Sequence, residues 1–119
     1  MTQESLSVDV LVVGTGASGM ATAITAASQG LKVLVVEKEA RFGGTTARSG
    51  GWLWIPGTRL AKEQGIQEPA GAARTYLQHE ATTHFDPARV DAFLEYGPKA
   101  IDFFTQKTCV QFDMPAVFP

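Results

Sequence analysis

The chain has 119 residues, of which 45% are hydrophobic and 18% charged, so it is long and apolar enough to form one ordinary folded domain. Ten Lys and Arg against twelve Asp and Glu give a formal charge of −2, which excludes a strongly basic nucleic-acid-binding surface. The single cysteine, Cys109, cannot form an internal disulfide, and the apolar run Val10 to Val13 is far shorter than the ~20 residues of a membrane span. We therefore expect a soluble, cytoplasmic protein without a transmembrane segment.

The first part of the chain predicts a strand–helix–strand unit. Residues 8–13 are β-branched and almost continuously apolar, as in a strand buried on both faces, and residues 32–37 repeat that pattern. Between them, small and apolar residues recur at helical spacing as far as Gly30, which suits a helix C-terminus. The residues on one side of this helix are Ala17, Met20, Ala21, Ile24, Ala27 and Ser28. Such a crossover is almost always right-handed, which predicts two parallel neighbouring strands.

The segment 38–59 differs from both of its neighbours. It contains five glycines, two tryptophans and a proline, and it predicts a long functional loop with a short extended piece at 52–55. The remainder predicts helices, one of which begins with Asp86 as N-cap and Pro87 at the first helical position, and ends at Gly97–Pro98. In chain order, the expected elements are helices at 60–64, 70–81, 87–96 and 98–106 and a short strand at 110–112.

These elements predict an α/β fold: the N-terminal βαβ of a Rossmann-like domain, followed by a glycine-rich loop and a helical segment. We divide it into residues 1–59, the βαβ unit with its loop, and residues 60–119, a helical segment of the same domain. A doubly wound sheet needs more than two strands, and the chain ends on the apolar residues 117–119. We expect the N-terminal piece of a longer polypeptide, whose sheet is completed by the rest of the chain or by a partner chain.

The glycines after the first strand have the spacing Gly14-x-Gly16-x-x-Gly19. In a dinucleotide-binding turn, the first glycine permits the turn, the second lets the backbone approach a pyrophosphate, and the third lets the helix pack on the strand. Glu37 ends the second strand, where a carboxylate accepts hydrogen bonds from a ribose diol and repels a 2′-phosphate. The pattern predicts FAD or NAD as the cofactor, and not NADP.

A second glycine cluster separates FAD from NAD. Two glycine pairs bracket small hydroxyl residues, which allows the backbone to lie against a flat ring or a phosphate while the hydroxyls hydrogen-bond to it. The aromatic side chains of Phe42, Trp52 and Trp54 flank this loop and are expected to anchor it. The cluster consists of Gly43, Gly44, Thr45, Thr46, Ser49, Gly50 and Gly51.

The stretches 10–19, 37–38 and 43–51 resemble the N-terminus of FAD-dependent dehydrogenases, the group of the fumarate reductase and succinate dehydrogenase flavoproteins. The continuation 52–57 is similar to the 3-ketosteroid Δ1-dehydrogenase branch of that group, and the resemblance covers most of residues 8–112. It implies a flavoprotein oxidoreductase that passes hydride between flavin N5 and a substrate carbon. The reacting CH–CH bond would lie beside a carbonyl or carboxylate of a small-molecule substrate, a hydrophobic or steroid-like one in that branch.

The resemblance also implies which residues hold FAD. The pyrophosphate would lie on Gly14, Gly16, Ala17, Ser18 and Gly19, and the adenosine ribose on Glu37 with Lys38 beside it. The ribityl chain and isoalloxazine would lie on Gly43, Gly44, Thr45, Thr46, Ser49, Gly50 and Gly51. Succinate dehydrogenase flavoproteins carry a flavin-linked histidine in this loop, and none occurs between Arg41 and Gly51, so we expect non-covalent FAD. No catalytic acid or base can be matched, and we expect an incomplete active site.

Other chemistry-bearing residues carry weaker signals. His79 and His84 are five residues apart, which turns a helix by about 140°, so they cannot face one metal ion, and we expect no metal site. Nothing in the sequence marks a basic partner that would activate Cys109 as a nucleophile, and we expect a partly buried structural thiol. Two alternatives to the flavoenzyme stay open: an NAD-dependent Rossmann dehydrogenase, and a truncated nucleotide-binding module without catalysis.

Overall fold

The computed structural model describes residues 5–114, so the apolar chain end at 117–119 lies outside the described residues. The described part contains two compact units, divided between Leu53 and Trp54. The first unit has strand β1 at Val10–Val13, helix α1 at Ala17–Ser28, strand β2 at Val33–Val36 and one turn of 3-10 helix at Thr46–Arg48. The second has helices α2 at Arg59–Glu63, α3 at Ala72–Ala81 and α4 at Pro87–Lys107, with a 3-10 turn at Thr82–His84.

The two strands of the first unit are parallel neighbours, as the sequence predicts. Val10 lies opposite Val33 and the register runs on to Val13 opposite Val36. The Gly14 N–H continues the ladder by donating to the Val36 carbonyl at 2.7 Å. This parallel pair with its crossover helix confirms the expected α/β class and its N-terminal βαβ unit.

The side of α1 that packs on the strands is not the one that the apolar spacing indicates. Ala23 is buried, whereas Met20 on the expected side is exposed. The reason is the close approach of helix and strand: a Cβ at Gly19 would lie 2.2 Å from the Gly14 carbonyl oxygen, so only the smallest residues fit on that side.

The prediction that the strands are buried on both faces is also wrong for the described residues. Val12 is 6% exposed, but Leu11 and Val13 are 57% and 79% exposed. Successive strand side chains point to opposite faces, and α1 covers one face only. The other face of the β1–β2 pair is an apolar surface within the described part of the chain.

Two helices of the second unit begin with a side-chain cap, one of which the sequence predicts. The side chain of Asp86 accepts from the Arg89 N–H at 3.2 Å and Pro87 is the first helical residue, which confirms the predicted start of α4. Thr58 caps α2 in the same manner, by accepting from the Ala61 N–H at 3.3 Å. No helix among residues 5–114 is long and apolar enough to span a bilayer.

Helix α4 continues through Gly97 and Pro98, so the predicted break there is wrong. A Cβ at Gly97 would lie 2.9 Å from Ile55 Cγ2, so this glycine serves the close approach of residue 55 and not the end of a helix. The helix beyond Pro98 is held by burial of Ile101. The strand expected at 110–112 is absent from the described chain, where residues 110–114 have no regular structure.

Replacing Pro98 by alanine is expected to stabilise the protein by about 2 kcal/mol. A proline inside a helix costs about 3 kcal/mol, and about 1 kcal/mol of that is recovered because proline restricts the unfolded chain. Urea unfolding of Pro98→Ala beside the parent protein measures the difference. Equal or lower stability in the variant would mean that the packing of the Pro98 ring, 3.8 Å from the place of a Cβ at Gly57, outweighs the missing hydrogen bond.

Candidate functional site

The glycine turn between β1 and α1 has three different backbone requirements. Gly14 has φ of +96°, a left-handed conformation that favours glycine. Gly16 has φ of −66°, and a Cβ there would meet nothing nearer than Thr46 Oγ1 at 3.8 Å. Gly19 has no room for a Cβ, because the Gly14 carbonyl oxygen would be 2.2 Å away. The first and third glycines therefore serve the fold itself, whereas Gly16 leaves an open concavity.

The N-terminus of α1 lies at this concavity. Gly16 is its N-cap residue, no side chain of the first turn is acidic, and Ala17 and Ser18 are exposed. The Ala17 N–H donates to Thr46 Oγ1 at 3.1 Å, which brings the second glycine loop to the helix terminus. Free N–H groups and the positive end of the helix dipole make such a terminus a favourable place for phosphate oxygens.

Glu37, one residue after β2, is tied to the same turn through Thr15. Its Oε2 accepts from the Thr15 N–H at 3.0 Å and from the Thr15 hydroxyl at 2.5 Å, and its Oε1 accepts from the Glu39 N–H at 3.1 Å. The Thr15 hydroxyl bond, with smaller contributions from these N–H groups, lowers the pKa of Glu37 to about 2. The carboxylate is therefore ionised at every pH at which the protein is expected to work.

The second glycine loop packs on the turn at two points. The Gly43 N–H donates to Thr15 Oγ1 at 2.8 Å, and a Cβ at Gly44 would lie 3.4 Å from Gly16 Cα. Both glycines have positive φ, +111° and +53°. The loop thus reaches Gly16 through backbone in left-handed conformations, which side chains rarely adopt and glycine adopts freely.

The rest of this loop is ordered by its own hydroxyl groups. Thr45 precedes the 3-10 turn at Thr46–Arg48, and Ser49 Oγ donates to the Thr46 carbonyl at 2.8 Å. The Gly51 N–H then donates to Ser49 Oγ at 3.1 Å. The small hydroxyl residues between the two glycine pairs therefore fold the loop onto itself.

Not every residue predicted for the site is brought to it. The side chain of Lys38 is 88% exposed and pairs with Glu39, with Nζ 3.8 Å from Oε1. The expectation that Phe42 anchors the loop is wrong, since it is 82% exposed. Trp52 is 65% exposed, but its ring lies against the loop, where a Cβ at Gly50 would be 3.2 Å from its Cδ1. The turn, the α1 terminus, Glu37 and the first glycine pair form one constellation. Lys38 and the aromatic residues lie outside it.

The constellation fits FAD on three observations. The Gly16 concavity is open for a pyrophosphate, and the helix terminus beside it carries no acid. The carboxylate of Glu37 is ionised, and its Oε2 accepts two hydrogen bonds while its Oε1 accepts one. Oε1 is therefore the oxygen better placed to accept from a ribose hydroxyl. These residues would bind and orient the pyrophosphate and the adenosine of the cofactor.

Thr15 is the site residue that sequence reasoning missed. It occupies a spacer position of the glycine motif, where residue identity carries no pattern. Its side chain is nonetheless buried, at 8% exposure, and uses its hydroxyl both as donor and as acceptor. A hydroxyl residue between two glycines, followed by an acid at the end of the next strand, was the available signal.

The second unit contains a separate groove of about 510 Å³. Trp54, Tyr76 and Leu94 contribute apolar wall, and the Trp54 ring lies 5.5 Å from that of Tyr76 and 6.2 Å from that of Phe93, centroid to centroid. None of the residues predicted to bind the cofactor lines this groove. Among residues 5–114, no three His, Cys, Asp or Glu side chains come together as a metal site.

Comparison with known proteins places these residues in a family context. The model of the FAD binding domain family matches residues 9–117. The chain is 47% identical to 4-oxocyclohex-2-ene-1-carboxylate 5-dehydrogenase of Sinomonas cyclohexanicum over 98% of this chain and 19% of that protein. It is 46% identical to 3-oxosteroid 1-dehydrogenase of Mycobacterium tuberculosis over 84% of this chain and 18% of that protein.

A solved structure shows the same relationship. The crystal structure of 3-ketosteroid delta1-dehydrogenase from Sterolibacterium denitrificans, in complex with 1,4-androstadiene-3,17-dione, superposes with a TM-score of 0.75 at 38% identity. The match covers 83% of this chain and 17% of that one. The chain therefore spans about a fifth of the length of the relatives it matches.

Proposed function

The chain belongs to the FAD binding domain family, and from this premise we propose that it is the FAD-binding N-terminal part of a flavoprotein dehydrogenase. The observation that carries the proposal is the approach of Gly44 to the backbone of Gly16, which sets a second glycine loop against the phosphate turn. The NAD-dependent alternative leaves this second loop unexplained. The family match also favours FAD over NAD.

In this proposal, each group of residues has one task. The turn Gly14–Gly19 and the α1 terminus bind the pyrophosphate, Glu37 accepts from the adenosine ribose with Lys38 beside it, and the loop from Gly43 to Gly51 lines the ribityl chain and the ring. Thr45, Thr46 and Ser49 supply its hydroxyl groups. When bound, FAD supplies at N5 a centre that accepts or donates hydride.

We propose a substrate with a ring ketone. Two relatives are named for dehydrogenation of a 3-oxosteroid and of a 4-oxocyclohexene carboxylate, and both names describe a ring that carries an oxo group. Dehydrogenation would remove a hydride and a proton from adjacent ring carbons and form a C=C bond beside the carbonyl. No residue of this chain is matched to the acid or base that would handle the proton.

The apolar face of the β1–β2 pair is proposed to be covered by the rest of the protein or by a partner.

A flavin titration and a turnover assay test this proposal. The purified apoprotein is titrated with FAD and, separately, with NAD, following quenching of flavin or protein fluorescence. The holoprotein of full length, of which this chain is proposed to be the N-terminal part, is then offered a 3-oxosteroid or 4-oxocyclohexanecarboxylate with an artificial electron acceptor. Saturable FAD binding with turnover of either ketone supports the dehydrogenase. Binding of NAD alone would favour the nicotinamide alternative, and FAD binding without turnover of any ring ketone would favour a non-catalytic module.

We further propose that FAD is held without a covalent bond. The loop from Arg41 to Gly51 carries no histidine, and its site contacts are hydrogen bonds from backbone and hydroxyl groups. Acid precipitation of the yellow protein is expected to leave all of the flavin in the supernatant. Flavin that stays with the polypeptide after denaturation would overturn the proposal, and mass spectrometry of its peptides would locate the bond.

The proposed compartment is the cytoplasm. The only cysteine in the sequence, Cys109, is exposed, so the expectation of a partly buried thiol is wrong. It forms no disulfide, which suits a reducing environment.

A further inference from the structure

We propose that Thr15 is a positioning residue for the adenosine ribose: its hydroxyl orients the Glu37 carboxylate and ties it to the glycine loop that begins at Gly43. The inference rests on the proposed binding of FAD. Thr15 does not itself contact the cofactor in this proposal, and it acts through the acid.

The hydrogen bonds around Thr15 divide the two oxygens of Glu37 into different roles. The N–H and the hydroxyl of Thr15 both donate to Oε2, at 3.0 and 2.5 Å. Oε1 receives one donor, the Glu39 N–H at 3.1 Å. Because Oε2 is filled from one side by a single residue, Oε1 is the oxygen with an acceptor position left for a ribose hydroxyl.

The same hydroxyl serves the second loop. Thr15 Oγ1 accepts from the Gly43 N–H at 2.8 Å while it donates to Glu37. Its single proton is committed to the carboxylate, so the bond from Gly43 uses an oxygen lone pair. Serine can make both bonds, and valine can make neither. Of the two bonds, the one to the ionised Glu37 carboxylate is the stronger, because a charged acceptor strengthens a hydrogen bond.

Hydrogen bonds, and not neighbouring charges, lower the pKa of the Glu37 carboxyl. Lys38 and Glu39 adjoin it in the chain and pair with each other, and Thr15 and Gly43, on the two loops packed against it, are uncharged. The hydroxyl bond is the largest cause that lowers the pKa of Glu37 to about 2. Without it, the pKa of this carboxyl is expected to rise toward its ordinary value of 4.5.

The test is FAD affinity as a function of pH in Thr15→Val and Thr15→Ser. At pH 7, Thr15→Val is expected to bind FAD about tenfold more weakly, because a displaced Glu37 loses its charge-assisted hydrogen bond from the ribose. Thr15→Ser is expected to bind FAD within about twofold of the parent. Between pH 7 and pH 4, the parent carboxylate stays ionised and its affinity is expected to stay level. In Thr15→Val the carboxyl takes up a proton in that window, and affinity should fall about two- to fourfold further.

Two controls separate this role from general damage to the fold. FMN lacks the adenosine, so its binding is expected to be equal in the parent and in Thr15→Val. In a Glu37→Gln background, Thr15→Val should cost no more than about twofold in FAD affinity, because the effect runs through the carboxylate. If Thr15→Val does not fold, Thr15→Cys replaces it: a thiol is a weak donor, and the pH-dependent loss should appear there.

Three results would overturn the inference. Equal losses of FAD and FMN affinity would make Thr15 a structural residue only. FAD affinity of Thr15→Val that does not change between pH 7 and pH 4 would show that Thr15 does not act through Glu37. A tenfold loss of FAD affinity on Thr15→Val in the Glu37→Gln background would show the same. A parent protein that binds no FAD at all would instead remove the proposed function, and the inference with it.

Discussion

Replacement of Gly19 by alanine is expected to lower the free energy of unfolding by about 2 kcal/mol and to abolish detectable FAD binding. The new Cβ would lie 2.2 Å from the Gly14 carbonyl oxygen and 3.5 Å from Val12 Cγ1. The Gly14 carbonyl is part of the backbone and cannot rotate away as the end of a flexible side chain can. Helix α1 and strand β1 must therefore move apart. Overpacking of this kind costs up to about 3 kcal/mol, and the better helix propensity of alanine returns about 1 kcal/mol.

The matched control is the same substitution three residues earlier. In Gly16→Ala the Cβ meets nothing nearer than Thr46 Oγ1 at 3.8 Å, and φ of −66° suits alanine. We expect its stability to change by less than about 1 kcal/mol while FAD affinity falls about 100-fold, as for the loss of two phosphate hydrogen bonds. Denaturant unfolding and FAD titration of both variants measure the contrast. Unchanged FAD affinity in Gly16→Ala would show that the pyrophosphate does not bind at Gly16.

Replacement of Glu37 by glutamine is expected to weaken FAD binding about 10- to 30-fold. The amide oxygen can take over the two donors from Thr15, but the amide NH₂ then faces the Glu39 N–H, donor against donor. The charge that strengthens a bond from a ribose hydroxyl is lost as well. Fluorescence titration with FAD measures the loss, which corresponds to one charged hydrogen bond.

Glu39→Gln and FMN supply the controls for this experiment. Glu39 touches the site through its backbone N–H, and its side chain pairs with exposed Lys38, so its substitution should change FAD affinity by less than about twofold. FMN carries no adenosine ribose, and Glu37→Gln should bind it as the parent does. A Glu37→Gln variant that lost FMN to the same extent would place the acid near the flavin end of the cofactor.

The sequence predicted the parts of the site that depend on backbone spacing. Gly14, Gly16 and Gly19 carry requirements that follow from the geometry of a strand–turn–helix, and Glu37 follows from the length of the crossover. These features are local, so a single chain reveals them. Thr15 escaped because its importance comes from two long-range hydrogen bonds, to residues 22 and 28 positions away, which no periodic pattern records.

The misassigned elements share a tertiary cause. Hydrophobic spacing placed Met20 on the packing side of α1, but the closeness of helix and strand admits only glycine and alanine there. Gly97–Pro98 has the composition of a helix break, and burial of Ile101 beyond it holds the helix together. At 110–112, apolar residues suggested a strand, but a strand requires a partner, and the described chain offers none.

The short range of the β1–β2 pairing bears on the order of events during folding. Val10 pairs with Val33, a separation of 33 − 10 = 23 residues, and the contacts from Thr15 to Glu37 and Gly43 fall within the first compact unit. Closing a loop of this length costs less conformational entropy than pairing strands that lie farther apart in the chain. The first compact unit can therefore form from its own residues, without the second unit, while one face of its strand pair is still exposed. A ligand that binds only the folded unit stabilises it by mass action, so FAD bound at that stage would favour the folded unit before its apolar face is covered.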